Sequence, residues 1–210
     1  MKLVLASNNA KKLRELEALL QPLAIELVAQ GSLGIAEAEE PHITFAENAL
    51  AKARHAAAAS GLPAIADDSG LCVGALRGAP GVHSARYAEL ELDASLAREA
   101  RRERQDEANN RQLLAALDGV SDRRAHFMCA LVAVRSADDP EPLMAFGRWQ
   151  GEIGTERSGT GGFGYDPLLR LPASGCSVAE LSAEQKNRQS HRALAAAQLL
   201  QLMREVWHLG

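Results

Sequence analysis

The chain has 210 residues and a formal charge of −4, with 47% apolar, 24% charged and 4% aromatic residues. This composition suits a globular α/β protein with a core of its own. It lacks the basic excess that phosphate neutralisation requires of a duplex-binding protein, so nucleic acid is not an expected partner. Cys72, Cys129 and Cys176 are an odd number of thiols without CxxC spacing. That argues against a disulfide framework and for a reducing, cytoplasmic setting. No stretch has the length of a membrane span, and the start lacks the long apolar segment of a signal peptide.

Residues 2–6 form a short apolar run that reads as a buried strand. Ser7, Asn8 and Asn9 interrupt it, and Leu13, Leu16, Leu19 and Leu20 then recur at helical spacing. The pattern is strand, polar turn, helix. Residues 25–29 read as a second strand, followed by the acidic stretch of Glu37, Glu39 and Glu40. Thr44 and Glu47 have capping-box spacing, which predicts a helix from Phe45 to about Ser60, stopped by Gly61 and Pro63. Residues 64–66 read as a strand that ends at Asp67-Asp68-Ser69-Gly70.

Asp93 is placed to cap a long helix reaching Leu117, with a break in the polar stretch 104–111. Within it Arg98, Arg101, Arg102 and Arg104 alternate with Glu99, Glu103, Asp106 and Glu107, which reads as a solvated face laced with ion pairs. Residues 125–134 and 143–149 read as strands joined through Asp138-Asp139-Pro140. A last helix occupies most of residues 193–207. Strands alternating with helices, plus a hairpin, predict an α/β fold around a mixed sheet.

Four segments carry possible chemistry. The turn Ser7-Asn8-Asn9-Ala10-Lys11-Lys12 feeds a helix N-terminus, where backbone N–H groups and the helix dipole attract phosphate; plain helix capping is the competing reading. It is not a Walker loop, because GxxxxGK[ST] is absent. Asp67-Asp68 places two carboxylates at a strand end, where alternation aims them at opposite faces. One of them, with Glu39 or Glu40, suits Mg²⁺, against the alternative of an Asx turn. In Ser158–Gly164 four of seven residues are glycine, followed by Tyr165, Asp166 and Pro167. Phe163 and Tyr165 there either stack on a base or anchor the loop to the core. Finally, Lys186 and Arg192 face different ways on one continuous helix, so Ser190 is read as an N-cap that opens a new helix with His191 and Arg192; an ordinary charged helix start, with His191 capping or at the surface, is the competing reading.

In chain order, Ser7-Asn8-Asn9-x-x-Lys12, Thr44-Phe45-x-Glu47-Asn48-Ala49, Ala66-Asp67-Asp68-Ser69-Gly70-Leu71, Gly78-Ala79-Pro80-Gly81 with Ser84-Ala85-Arg86-Tyr87, Gly161-Gly162-Phe163-Gly164-Tyr165-Asp166-Pro167 and Ser190-His191-Arg192 span nearly the whole chain. The set resembles the inosine/xanthosine triphosphate pyrophosphatase family. The resemblance implies a single domain over 1–210, an elongated two-lobed α/β fold with a long twisted mixed sheet flanked by helices, and an active site in the cleft between lobes. It also implies a homodimer and a Mg²⁺ cofactor. The activity implied is hydrolysis of ITP, dITP and XTP at the α-phosphate to monophosphate and pyrophosphate, which keeps those nucleotides out of DNA and RNA.

The resemblance further assigns Ser7, Asn8, Asn9, Ala10, Lys11 and Lys12 to the triphosphate and Ser69 to substrate. Glu39 and Asp68 would hold Mg²⁺, Asp68 also activating water. Phe163, Gly164, Tyr165 and Asp166 would line the nucleoside pocket, completed by Lys186, His191 and Arg192, with Lys52 a lesser phosphate contact. Arg192, a donor-only side chain, is expected to read the 6-oxo group of the base. Position 8 departs from many family members, which have Gly there. Two rival readings are a pyrophosphatase for modified pyrimidine nucleotides and a non-catalytic nucleotide-binding module.

Overall fold

The computed structural model describes residues 1–91, 93 and 95–209. Six strands, β1 (Lys2–Leu5), β2 (Glu26–Ala29), β3 (Ala64–Val73), β4 (Arg124–Val134), β5 (Leu143–Ile153) and β6 (Leu169–Arg170), hydrogen-bond in the order β2-β1-β3-β4-β5-β6. β1 is parallel to both β2 and β3, whereas β5 and β6 are antiparallel. The helices are α1 (Ala10–Leu20), α2 (Phe45–Ser60), α3 (Arg98–Ala116), α4 (Ala183–Gln189) and α5 (His191–Val206). The mixed-sheet α/β expectation therefore holds. Among the described residues, no helix is long and apolar enough to cross a membrane.

Contacts divide the chain into two compact units: Met1–Ser69 with Met128–Arg148 and Asn187–Gly210, and Gly70–Phe127 with Trp149–Lys186. In the first unit the period-2 alternation of strands sorts side chains onto two faces. Leu3, Leu5, Ile65, Cys129, Leu131 and Ala133 pack with Leu16 and Leu20 of α1 and Ala195, Ala196 and Leu199 of α5. Their neighbours Val4, Ala6, Ala64, Ala66, Ala130, Val132 and Val134 pack instead with Ala49, Ala53, Ala56 and Ala57 of α2. The second unit has its own core, including Leu71, Val73, Leu113, Leu117, Phe127, Trp149, Tyr165 and Leu168.

Several boundaries agree with the sequence. Thr44 caps α2 by accepting from the Glu47 N–H, and Gly61 closes it. Ser190 separates α4 from α5 and accepts from the Ala193 N–H. Two expectations fail. β3 does not stop at Asp67 but carries Asp67-Asp68-Ser69-Gly70 in mid-strand, so no Asx turn forms there. α3 begins at Arg98 with Ala97 as its cap residue and runs unbroken through 104–111. Asp93 instead accepts from the Ser95 N–H.

The packing of α5 on β5 depends on Gly147. A Cβ there would overlap the His191 carbonyl oxygen and lie 2.8 Å from the Ala195 backbone nitrogen. Backbone cannot rotate aside as a side chain can, so α5 would have to move. Gly147→Ala is expected to cost roughly 1–3 kcal/mol, read as a lower urea midpoint with an unchanged slope.

Candidate active site

Strand parity decides the roles of the paired aspartates. Asp67 follows Ile65 onto the α1/α5 face, and Asp68 follows Ala66 onto the α2 face. Asp67 is fully buried and ringed by donors. Lys12 Nζ lies 2.5 Å from its Oδ1, Ser69 Oγ 2.7 Å from the same oxygen, and Arg192 Nε 2.6 Å from Oδ2. Cys129 Sγ, on the neighbouring strand, is 3.4 Å from Oδ2. Burial alone would raise the Asp67 pKa, but Arg192 and Lys12 outweigh it and hold the carboxyl well below its usual range. Burial, and after it the same carboxylate, push the Cys129 thiol up, keeping it neutral and a donor.

Arg192 completes this network. Its side chain is only 1% exposed, and its remaining nitrogens donate to Glu15 of α1 and, at 3.1 Å, to Ser69 Oγ. Burial disfavours its charge, yet Asp67 and Glu15 keep it firmly protonated. The guanidinium is thus engaged at all three nitrogens, and the expectation that it reads the base finds no geometric support here. His191 beside it is buried as well.

On the other face, Lys52 of α2 donates to Asp68 Oδ1 at 3.1 Å, to the Asp67 carbonyl at 3.1 Å and to Glu40 Oε1 at 2.6 Å. Asp68 Oδ2 is buried and has no hydrogen-bond partner among the described residues. Burial is the main reason the Asp68 pKa is raised; Lys52 and Lys12 oppose the shift and Glu40 adds to it. For Lys52, burial works against the charge, but Asp68 and Glu40 prevail and raise its pKa. One turn before Lys52, Asn48 grips residue 42 at two points, accepting from the His42 N–H at 3.0 Å and donating to its carbonyl at 3.2 Å. α2 thereby fixes the acidic stretch so that Glu40 faces Lys52, whereas Glu39 is exposed.

In the turn after β1, Asn9 caps α1, its side-chain oxygen accepting from the Lys11 and Lys12 N–H groups at 3.0 and 3.4 Å. Ser7 Oγ accepts from the Asn9 N–H at 3.1 Å, and Asn8 donates to Glu37 at 3.2 Å. Ala10 is exposed and Lys11 half-buried. The amides expected to meet phosphate are capped by the turn's own side chain.

The second unit carries the glycine-rich loop. Asp166 Oδ2 accepts from the Phe163 N–H at 2.9 Å and from Lys186 Nζ at 2.8 Å. Lys186 Nζ also stands 4.5 Å from the centre of the half-buried Phe163 ring, a cation–π contact. Gly162 has φ +73, and any Cβ there would overlap Asp166 Oδ2, so only glycine fits. Tyr165 is buried in the core and donates to the Ser84 carbonyl at 3.0 Å. Of the two readings of the aromatics, Tyr165 takes the anchoring one and Phe163 keeps a partly open face.

Asp67, Glu15 and Glu40 are the site residues that sequence reasoning left without a firm role. Asp67 and Glu40 stood among the candidate carboxylates, and the signal for Glu15 was its place three residues after Lys12 on one face of α1. Among the described residues, no group of three or more His, Cys, Asp or Glu side chains forms a metal cage.

Adjacent strand aspartates, each bound to lysine or arginine, stand beside a strand–turn–helix with Lys12 in its first turn, an arrangement of an α/β protein that suits phosphate. Comparison with known proteins gives the family. The chain belongs to the Ham1 family, whose model matches residues 3–202. It is 72% identical, over the full length of both chains, to the dITP/XTP pyrophosphatase of Leptothrix cholodnii. It is 66% identical to that of Methylibium petroleiphilum, over 99% of each. A solved HAM1 protein from Coxiella burnetii is 41% identical with a TM-score of 0.86, covering 98% of this chain and 100% of that one. The Staphylococcus aureus Ham1 structure is 35% identical with a TM-score of 0.82, covering 98% and 99%.

Proposed function

We propose that this chain is a Mg²⁺-dependent pyrophosphatase that hydrolyses dITP, XTP and ITP to the monophosphate and pyrophosphate, removing nucleotides that would otherwise enter DNA and RNA. The observation that carries the reading is Asp68 Oδ2, a buried carboxylate oxygen left without a partner beside Lys52 and Glu40. A buried polar atom without a partner is costly, and a bound cation or water resolves the cost. The donors fit Mg²⁺, which takes one or two carboxylates, water and substrate phosphates. Asp68 would hold it with Glu39 or Glu40; Glu40 accepts from Lys52 beside Asp68, and Glu39 is exposed. When bound, Mg²⁺ neutralises phosphate oxygens and lowers the pKa of coordinated water.

The chain's own residues supply the rest. Asp68 takes the proton of the water that attacks the α-phosphorus, a task its raised pKa favours. Lys12 and Lys52 offer positive charge to the phosphates. Ser7 and Asn9 shape the turn that presents Lys12, and Asp67 positions Lys12, Ser69 and Arg192 through the hydrogen bonds it accepts. Phe163 offers a ring face for the base, with Asp166 and Lys186 holding the loop around it. Gly164, Tyr165 and His191 act as framework.

A homodimer and a cytoplasmic setting belong to the same proposal. The setting is supported by three thiols, none of them in a disulfide among the described residues, and light scattering tests the dimer as a mass twice that of the chain. The activity is tested by pyrophosphate release from ITP, XTP, dITP, ATP, GTP and dTTP, with Mg²⁺ and with EDTA. Strong turnover of the first three, abolished by EDTA and yielding monophosphates, is the expected result. Silence on those three would sink the reading, and preference for dTTP would favour a pyrimidine pyrophosphatase.

A further inference from the structure

α3 is the most charged helix of the chain, yet part of its surface is a buried polar seam. Asn109 and Asn110 are almost inaccessible. Asn109 donates to the Ser84 carbonyl at 3.1 Å and accepts from the Ala88 N–H at 2.8 Å. One turn apart, Asp106 and Asn110 reach the glycine-rich loop at one residue. Asp106 Oδ2 accepts from the Gly164 N–H at 2.8 Å, and Asn110 Nδ2 donates to the Gly164 carbonyl at 2.9 Å. Asn110 also donates to the Asp106 carbonyl at 2.8 Å, so the two are fixed to each other. Both polar groups of Gly164 are therefore taken by one helix, between Phe163 on one side and Tyr165-Asp166 on the other. Asp106 is half-buried and turned to the loop, where its charged neighbours suggested a solvated face.

We propose that Asp106, with Asn110, is a positioning residue for the base-binding loop, holding Gly164 so that Phe163 and Asp166 keep the spacing a purine ring requires. This rests on the reading of Phe163–Asp166 as the nucleoside contact. A loop with glycine at 159, 161, 162 and 164 has unusual conformational freedom to lose, so an external clamp lowers the ordering cost of binding. Because the clamp acts on the loop and not on the carboxylates of β3, its loss falls on nucleoside affinity more than on chemistry.

The test compares wild type, Asp106→Ala and Asp106→Asn, since an asparagine oxygen can still accept from the Gly164 N–H. Hydrogen–deuterium exchange of the peptide covering 158–167 is expected to speed up about tenfold in Asp106→Ala. Exchange in β5 should stay unchanged, and Asp106→Asn should restore the loop. KM for ITP is expected to rise about tenfold in Asp106→Ala with kcat within a factor of about two. Unchanged loop exchange in Asp106→Ala overturns the clamp, whatever the enzyme's substrate. Faster exchange confined to the loop with an unchanged KM overturns its role in nucleoside binding. A wild-type protein inactive on ITP sinks the functional reading separately, and the exchange data still decide the clamp.

Discussion

Asp68→Asn should lower kcat for ITP by roughly 10³-fold while leaving the protein as stable as wild type. The two halves of this expectation have one cause. Burial raises the Asp68 pKa, so the fold holds the ionised form, the one a general base would use, at a cost. By linkage, a carboxyl with a raised folded pKa adds stability only at low pH and loses it as pH rises through that value. A neutral amide at position 68 therefore relieves the fold at neutral pH, and its oxygen still accepts from Lys52. What it cannot do is take a proton from water. Thermal unfolding and steady-state kinetics on the same preparation check both halves, and a near-normal kcat would remove Asp68 as the base.

Its neighbour should behave in the opposite way. Asp67 is buried with its carboxylate committed to Lys12, Arg192, Ser69 and Cys129. Removing one member of a buried ionic network strands the others, at roughly 3–5 kcal/mol. That is a large part of the stability of an ordinary domain. Asp67→Ala is therefore expected to show a much lower denaturation midpoint, with activity falling because Lys12 and Arg192 lose their shared anchor. The sign of the pH dependence agrees. A lowered carboxyl pKa gives stability that is present above the unfolded value near 3.8 and disappears as pH falls through the folded one. An Asp67→Ala protein as stable as wild type would show that the network contributes nothing net.

The sequence carried the outline of these roles but not their assignment. Alternation along a strand was enough to predict that Asp67 and Asp68 face apart. Which face receives α1 and α5 and which receives α2 is a long-range fact, and it alone gives Asp67 its ring of donors and Asp68 its place beside Lys52. Helix ends were legible wherever a local device sets them, as at Thr44, Gly61 and Ser190. The end of β3 was not, because Lys12, Arg192 and Lys52 compensate charges that local rules treat as strand breakers. The resemblance, with the donor-only chemistry of arginine, pointed Arg192 at the base, and neither says that its guanidinium is held by Asp67 and Glu15. Its partner Glu15 lies 177 residues away, beyond any local window. Asp106 was hidden for the converse reason, standing among charges that are solvated while it turns inward.

The cap on α1 has a consequence for what the first turn will hold. With the Asn9 oxygen already on the Lys11 and Lys12 amides, the turn is a seat with a neutral occupant. A newcomer gains only the difference between its own attraction to the helix end and that of a carboxamide. For a small singly charged ion the difference is slight, since a helix terminus favours one charge by about 0.3–1 kcal/mol. Under the proposed function, a polyphosphate that also engages Lys12 gains more than that difference. The turn would then act as a valence filter, passing over the salt of the surrounding solution and yielding to a chain of phosphates.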